Sequence, residues 1–247
     1  KMNRLFFELG RYILFVRSMF FKPERFKVFF ERTIHEMNNI GVGSIGIVTI
    51  ISVFVGAVTT LQTAYQLVSP LIPMKVIGTI VSDSSLLEFA PTITCLVLAG
   101  KVGANIASEV GNMRVTEQID ALEVMGINSS GFLGLPKIIA GVIMIPCLII
   151  VANVLMISGG ILAARLTDLM SPNEFVQGAR ETFKLFTVSV SMTKALVFAF
   201  IITSMSTYEG YFTEGGALEV GEAGTRAVTR SCVLILFADF IIAKLML

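Results

Sequence analysis

Lys194 and Asp239 are ionisable residues in stretches of sequence that are otherwise apolar. A charged side chain in the hydrocarbon part of a bilayer costs about 2.5–3.5 kcal/mol on insertion scales, so such residues are by default paired or in contact with water. If both stretches cross a bilayer, the two residues lie roughly 12–14 Å from the same end of their helices at about 1.5 Å per residue. We therefore predict a structural Lys194–Asp239 ion pair inside the membrane.

Glu88 is a third ionisable residue of this kind, and it stands three residues before Pro91. The sequence offers it no partner at its own depth. A proline inside a helix frees backbone carbonyls and kinks the helix. The pattern favours an unpaired Glu88 that lines a cavity filled with water or lipid headgroups; the alternative is a Glu88 that simply lies at the outer membrane interface.

Other residue patterns that carry chemistry are missing from the sequence. His35 is the single histidine, which excludes a Ser-His-Asp triad and a metal site with several histidines. The three cysteines are far apart and form no Cys-x-x-Cys pair, so no zinc site or redox pair is predicted. Gly41, Gly43 and Gly46 match G-x-G-x-x-G, but no strand precedes them and no acid follows until Asp83, so dinucleotide binding is rejected. We predict no catalytic residues, no metal and no cofactor.

The composition of the 247 residues limits the class of protein. Apolar residues make up 54% and charged residues 15%, against about 25% charged in ordinary soluble domains. The mean hydropathy is +0.81, and a soluble protein of this kind would expose a large, aggregation-prone apolar surface. The net charge of +1 gives no general attraction to DNA or RNA. We therefore predict a membrane-embedded protein with no nucleic-acid partner.

Five apolar stretches are long enough to cross a bilayer, which takes about 20 residues. They are 41–67, 84–108, 136–164, 185–208 and 224–246.

Residues 1–36 contain eight Lys or Arg interleaved with aromatic residues, a pattern typical of amphipathic helices in the membrane interface. Pro23 would separate two such helices. A soluble helical hairpin is the alternative for this segment. The predicted fold is an all-α membrane protein, with an N-terminal interfacial amphipathic helix and five transmembrane helices, in a single domain over 1–247.

The basic N-terminal segment also sets the predicted orientation. Positive charge near the ends of spans favours the cytoplasmic side, so we place the N-terminus in the cytoplasm. Five crossings then put the C-terminus outside. Loops 109–135 and 209–223 become cytoplasmic, and loops 68–83 and 165–184 become external.

The loop after the second span contains a short amphipathic helix. Its apolar positions share one helical face, and its polar surface comes from five side chains. The apolar residues are Met113, Ile119, Leu122 and Met125; the polar ones are Arg114, Glu117, Gln118, Asp120 and Glu123. We predict Thr116 as the N-cap and Gly126 as the C-cap. The helix either rests on the membrane or docks a cytosolic partner.

Small residues recur every four positions along the second span. They are Ala99, Gly103, Ala107 and Gly111. Such a stripe lets two helix backbones approach closely in lipid. It predicts either helix packing inside one subunit, or a subunit interface or a helix that moves.

The same region of the sequence resembles the permease subunits of Mla-type (MCE-linked) phospholipid ABC transporters, to which the chloroplast lipid-import permeases are related. The resemblance covers nearly the whole chain from the first span onward. Its longest motif reads LAGKVGANIASEVGNMRVTEQIDALEVMG, over 98–126. Shorter matches are EFAP at 88–91, the pair Gly215-Gly216 with VGEAGTRAV at 220–228, and the intramembrane Lys194 and Asp239. One departure is Leu87, where the family often has an arginine.

The resemblance implies a homodimer in the bacterial inner membrane. Two cytosolic ATPase subunits would dock on 109–126, which we call the coupling segment, through Arg114, Glu117, Gln118, Asp120 and Glu123. A phospholipid would sit in an outward-facing cavity near Glu88, with Leu87 and Pro91 beside it, and a periplasmic MCE-domain protein would receive or deliver it. The sequence has no G-x-x-x-x-G-K-[ST] motif, so we expect the ATPase to be another polypeptide and this chain not to be an enzyme.

Two other functions stay open at this point. In one, the chain is an ion- or proton-coupled secondary transporter that uses Glu88, Lys194 and Asp239 as its path. In the other, it is a membrane scaffold without a transport role.

Overall fold

The computed structural model describes residues 2–19, 26–67, 73–167, 170–181 and 183–246, and all regular secondary structure in these ranges is helical. This agrees with the predicted all-α class. The α-helices are α1 (Met2–Met19), α2 (Phe26–Met37), α3 (Gly43–Gln66), α4 (Lys75–Ser84), α5 (Thr94–Leu98), α6 (Ala104–Val115), α7 (Gln118–Val124), α8 (Ser129–Leu166), α9 (Pro172–Glu181), α10 (Leu185–Tyr211) and α11 (Ala217–Met246). Three π-helical segments interrupt the chain, at Asn38–Val42, Ser85–Ile93 and Ala99–Gly103.

Four continuous helical stretches among the described residues are long and apolar enough to cross a membrane. They are Lys27–Gln66, Lys75–Val115, Ser129–Leu166 and Leu185–Tyr211. They correspond to the first four predicted spans. The fifth predicted span lies in α11, whose apolar part also carries Arg230, Asp239 and Lys244, and it is not among the four. A fifth crossing therefore stays a prediction, as does the interfacial position of α1 and α2. The predicted break at Pro23 lies outside the described residues.

The two loops predicted on the outer side contain helices. Helix α4 begins at Lys75 within the predicted loop 68–83, and α9 occupies most of 165–184. The two helices pack with their backbones in contact, because a Cβ atom on Gly78 would lie 2.3 Å from the Phe175 carbonyl oxygen and one on Gly178 would lie 1.9 Å from the Lys75 carbonyl oxygen. Lys75 also forms a 3.0 Å ion pair with Glu181. The external position of 68–83 and 165–184 stays a prediction, and the structure adds that both segments contain a helix.

The contacts of the chain define two compact units, each assembled from three segments. The first contains Lys1–Gly43, Val97–Met144 and Phe198–Ile235, and the second contains Ser44–Leu96, Ile145–Val197 and Leu236–Leu247. Neither unit is a continuous stretch of sequence. The single domain over 1–247 stays a prediction.

The core of the first unit is formed by α1, the start of α8 and the end of α10. Its buried residues are Phe15, Met19, Leu135, Ile138, Met205 and Tyr208. Tyr12 packs edge-on against Tyr208, at 5.5 Å between ring centroids, and its hydroxyl lies 2.7 Å from the Ser204 hydroxyl. Burial raises the pKa of Tyr12, so this phenol stays protonated. The aromatic residues of α1 thus fix this helix to the first unit.

The second unit is held together by close contact between α3 and α8. A Cβ atom on Gly56 would lie 1.9 Å from the Met156 carbonyl oxygen, and one on Gly159 would lie 2.2 Å from the Val53 carbonyl oxygen. The two helices therefore approach until each backbone meets a glycine of the other, as small residues allow in membrane proteins.

The small-residue stripe of the second span packs inside the subunit. A Cβ atom on Gly103 would meet the Ser206 side chain at 2.9 Å, and one on Gly210 would meet the Ala107 carbonyl oxygen at 2.6 Å. The stripe therefore lies against α10 in the first unit. Of the two interpretations, packing within one chain is the one that the structure contains.

Candidate functional site

The side chain of Lys194 is the centre of an ion cluster in the second unit, which we call the Lys194 cluster. Its ammonium group lies 2.7 Å from the Glu88 carboxylate and 2.7 Å from the Asp239 carboxylate. It also donates a hydrogen bond of 3.0 Å to the Leu87 carbonyl oxygen. Of the three donors of a lysine ammonium, two reach hydrogen-bond acceptors, on Glu88 and Leu87, and Asp239 adds a charge contact. Since the Lys194 side chain is 0% exposed, these partners replace water completely.

The Leu87 carbonyl oxygen that accepts this bond lies in a segment where the helix is not a regular α-helix. Pro91 is in the same segment, and proline has no N–H with which to close a helical hydrogen bond. The segment Ser85–Ile93 is π-helical and contains both Glu88 and Pro91. Such π-helical turns are often found at functional sites. Leu87 therefore contributes a carbonyl acceptor to the cluster, and Pro91 contributes to the irregular helix that contains it.

Lys194 and Asp239 are in contact, as their equal depths in the predicted spans suggested. The prediction that Glu88 is unpaired is wrong. The sequence placed the start of the second span near residue 84, which put Glu88 close to the helix end. The helix begins at Lys75, so Glu88 is thirteen residues, or about 20 Å, inside it. At that depth it meets Lys194 on α10.

The three charges of the cluster differ in their access to solvent. The exposed fraction of the side chain is 42% for Glu88 and 17% for Asp239. Glu88 is thus the more exposed of the two carboxylates around the buried ammonium. The arrangement therefore fixes three helical segments together and presents the Glu88 carboxylate to whatever occupies the adjacent space.

The coupling segment consists of two short helices joined by a tight turn. Helix α6 ends at Val115, Glu117 has a left-handed backbone with φ 59°, and α7 begins at Gln118. Thr116 is not the predicted N-cap, because its hydroxyl donates to the Asn112 carbonyl oxygen of the preceding helix at 2.8 Å. The prediction was wrong because it treated the segment as starting afresh at Thr116.

Gly126 ends α7 as predicted. Its φ is +75°, and its N–H donates to the Glu123 carbonyl oxygen at 2.9 Å while Ile127 N–H reaches the Leu122 carbonyl oxygen at 3.0 Å. This is the Schellman arrangement, in which a left-handed glycine closes the last turn.

The polar side chains of the coupling segment fall into two groups. Arg114 joins α6 to α7 through a 2.5 Å ion pair with Asp120. Glu123 accepts hydrogen bonds from the Ser129 hydroxyl at 2.8 Å and the Tyr211 hydroxyl at 2.9 Å, which ties α7 to α8 and α10.

The rest of the segment faces outward. Glu117 and Gln118 are exposed. Of the predicted apolar face, Ile119 is fully buried, while Met125 is exposed beside Val124, whose side chain is 90% exposed. The segment is thus anchored on one side and presents polar and apolar surface on the other.

Two further ion clusters in the first unit were not predicted from the sequence. Lys137 lies 2.5 Å from Glu36 and 2.8 Å from Glu109. Glu209 pairs with Arg230 at 2.5 Å and with Arg226 at 3.4 Å. Lys137 stands directly before the charge-free run of the third span, eight residues inside α8, and its partners come from distant parts of the sequence.

Long apolar helices that carry a buried lysine in contact with two carboxylates are typical of a helical membrane protein. Among the described residues no group of three or more His, Cys, Asp or Glu is suited to hold a metal ion. A family profile described as "Permease MlaE" matches residues 33–245. The chain belongs to the MlaE permease family, and it is a permease subunit rather than an enzyme.

Curated relatives extend over most of the chain. A "Probable ABC transporter permease protein" of Rickettsia bellii is 35% identical over 98% of this chain and 93% of its own length. A protein of the same description from Synechocystis is 35% identical over 87% of this chain and 81% of its own length. The chloroplast protein of Arabidopsis thaliana named trigalactosyldiacylglycerol 1 is 31% identical over 88% of this chain and 62% of its own length.

Proposed function

We propose that this chain is the transmembrane permease subunit of an ABC transporter that moves phospholipids between the bacterial inner membrane and a periplasmic MCE-domain protein. The observation that carries the proposal is the Lys194 cluster. It presents the part-exposed Glu88 carboxylate within an apolar membrane segment, a setting that suits a molecule with a charged headgroup and apolar tails. The name of the Arabidopsis relative contains that of a glycerolipid, which supports a lipid as the substrate class.

The energy source in this proposal is a pair of cytosolic ATPase subunits. The coupling segment supports it, because α7 is anchored through Glu123 and presents Glu117, Gln118 and the exposed Val124 and Met125 to a partner. Interfaces combine a central apolar contact with a polar rim in the same way. The relatives named as ABC transporter permeases support a partner of this kind.

The assembly we propose is a homodimer whose lipid cavity lies between the subunits. Each subunit would have α1 and α2 in the membrane interface, five crossings including α11, a cytoplasmic N-terminus and a periplasmic C-terminus. Asp239 supports the crossing by α11, because its partner Lys194 removes the cost of placing this carboxylate in the membrane.

The test is purification of the complex from its own membrane, followed by reconstitution. We expect a nucleotide-binding subunit and phospholipid to co-purify, and ATP to drive lipid transfer between the vesicles and added MCE-domain protein. A chain that purifies without an ATPase and without lipid would contradict the proposal.

A second function is favoured by the same ion cluster. Ionisable residues buried in a membrane are the usual elements of proton and ion paths, so Glu88, Lys194 and Asp239 also suit a secondary transporter. The chain alone in liposomes, without any ATPase, separates the two functions. Transport driven by an ion gradient would favour the secondary transporter, and the lipid transporter requires that this preparation be inactive.

A further inference from the structure

The side chain of Lys137 is buried in the first unit at the point where three helices meet. Lys137 is on α8, close to its start, and only 2% of its side chain is exposed. Its ammonium lies 2.5 Å from the Glu36 carboxylate of α2 and 2.8 Å from the Glu109 carboxylate of α6. We call these three residues the Lys137 cluster. One cation thus joins three helices that are far apart in sequence.

The stability of the fold does not by itself explain the charges of this cluster, since a buried ion pair is often no more stabilising than apolar residues of the same size. A cavity of about 510 Å³ adjoins the cluster. Its charged and titratable lining residues are Glu31, Arg32, His35, Glu36, Glu109 and Lys137. Arg32 stacks over the Phe132 ring at 3.6 Å, which holds a second cation beside the cluster. Lys137 therefore lies between a packed helix junction and a polar space into which side chains have room to move.

The cluster is connected directly to the coupling segment. Glu109 is the first residue of that segment and lies on α6, which runs from Ala104 to Val115 without interruption. Five residues further along the same helix, Arg114 pairs with Asp120 of α7 at 2.5 Å. A force applied to α7 therefore reaches Glu109 through the second half of one helix, and reaches α8 and α2 through Lys137.

We propose that Lys137 is a positioning residue that transmits movement of the coupling segment to α8 and α2. This inference rests on the proposed function, because it requires an ATPase that moves the segment. The Lys137–Glu109 contact carries movement into the membrane helix α8, and the Lys137–Glu36 contact keeps α2 in register with it. ATP hydrolysis then does productive work only while both contacts hold.

The decisive measurement is the number of ATP molecules hydrolysed per phospholipid transferred, in the complete reconstituted complex. Lys137→Met removes the cation at nearly constant volume. Glu109→Gln removes only the charge of a carboxylate that is 45% exposed, so it is the milder change for folding. For both variants we expect the ratio to rise about fivefold or more, the low end of the usual range for coupling between sites.

A matched control is available in the same unit. Glu209 is a buried carboxylate paired with Arg226 and Arg230, and none of these residues belongs to the coupling segment. Glu209→Gln removes a comparable ion pair, so it reports the general effect of weakening the first unit. We expect it to lower the yield of complex and to leave the ratio of ATP to lipid at the wild-type value.

The outcomes separate this inference from the proposed function. If wild-type complex transfers lipid with ATP but Glu109→Gln keeps the wild-type ratio, the transmission role of the cluster is refuted and the proposed function stands. An equal rise of the ratio in Glu209→Gln would also refute it, since any weakened ion pair would then have the same effect. If the wild-type complex moves no lipid with ATP, the proposed function and this inference fail together.

Discussion

Removal of the buried ammonium group in the Lys194 cluster is the perturbation whose energetic effect the geometry defines best. In Lys194→Met, two carboxylates lose their common cation, and breaking a buried ion pair in this way typically costs about 3–5 kcal/mol. Asp239, with 17% of its side chain exposed, bears most of this loss, because Glu88 at 42% is accessible to solvent. We expect the free energy of unfolding to fall by about 3–5 kcal/mol in Lys194→Met.

The two acidic partners should contribute unequally. Glu88→Gln leaves Lys194 with Asp239 and the Leu87 carbonyl oxygen, and the loss should be about 1 kcal/mol or less, as for an exposed ion pair. Asp239→Asn removes the more buried of the two charged partners and leaves the buried ammonium less well satisfied, and the loss should be about 1–3 kcal/mol. In the double variant Lys194→Met/Asp239→Asn, part of the stability should return, since the unpaired buried carboxylate is gone.

Reversible unfolding of the purified protein in mixed micelles measures these differences. The expected order of loss is Lys194→Met, then Asp239→Asn, then Glu88→Gln. The reasoning is refuted if Lys194→Met stays within about 1 kcal/mol of wild type. It is equally refuted if Glu88→Gln is as damaging as Lys194→Met, because the exposed carboxylate would then be the essential partner.

Three further outcomes can be measured independently. Glu117→Lys should reduce co-purification of the ATPase subunit while membrane insertion stays normal, with Glu117→Gln as a milder control; undiminished ATPase association in Glu117→Lys would remove the docking role. Gly56→Leu should abolish accumulation of folded protein, because its Cβ atom would meet the Met156 carbonyl oxygen at 1.9 Å. Gly46→Leu on the same helix should be tolerated, since a Cβ atom there has no neighbour within 4 Å. Equal yields of folded protein from the two variants would be inconsistent with the α3–α8 packing. The Gly216 N–H lowers the pKa of Glu219 below its ordinary 4.5, so this contact stabilises the start of α11 above that pH and is lost as the pH falls through the lowered pKa. The difference in stability between wild type and Glu219→Gln should therefore vanish in acid. A difference that grows with acidity would contradict this.

The sequence predicted those features that depend on local pattern. Apolar runs located four helical stretches, and equal depth along the fourth stretch and the predicted fifth span brought Lys194 and Asp239 together. The start of the helix that contains the second predicted span was misjudged, because Lys75 and Asp83 are charged residues in an apolar context and were interpreted as part of a loop. That error alone left Glu88 without its partner, since depth along a helix is counted from its first residue.

Other features depended on contacts that no local pattern encodes. The partners of Lys137 lie 101 and 28 residues away in sequence, and only the fold brings them together. The left-handed backbone at Glu117 could not be predicted, because the residue there is neither a glycine nor an asparagine. Helix α9 did have a local signal, since Ser171, Pro172 and Glu174 form a helix start in which the Ser171 N–H reaches the Glu174 carboxylate at 3.3 Å.

The proposed function requires the coupling segment to face the cytoplasm, where an ATPase can move it. A single cysteine in place of the exposed Met125, in a chain with Cys95, Cys147 and Cys232 replaced, can be probed with a membrane-impermeant maleimide on spheroplasts. We expect no labelling until the membrane is permeabilised. Full labelling of intact spheroplasts would place the segment outside and contradict the account.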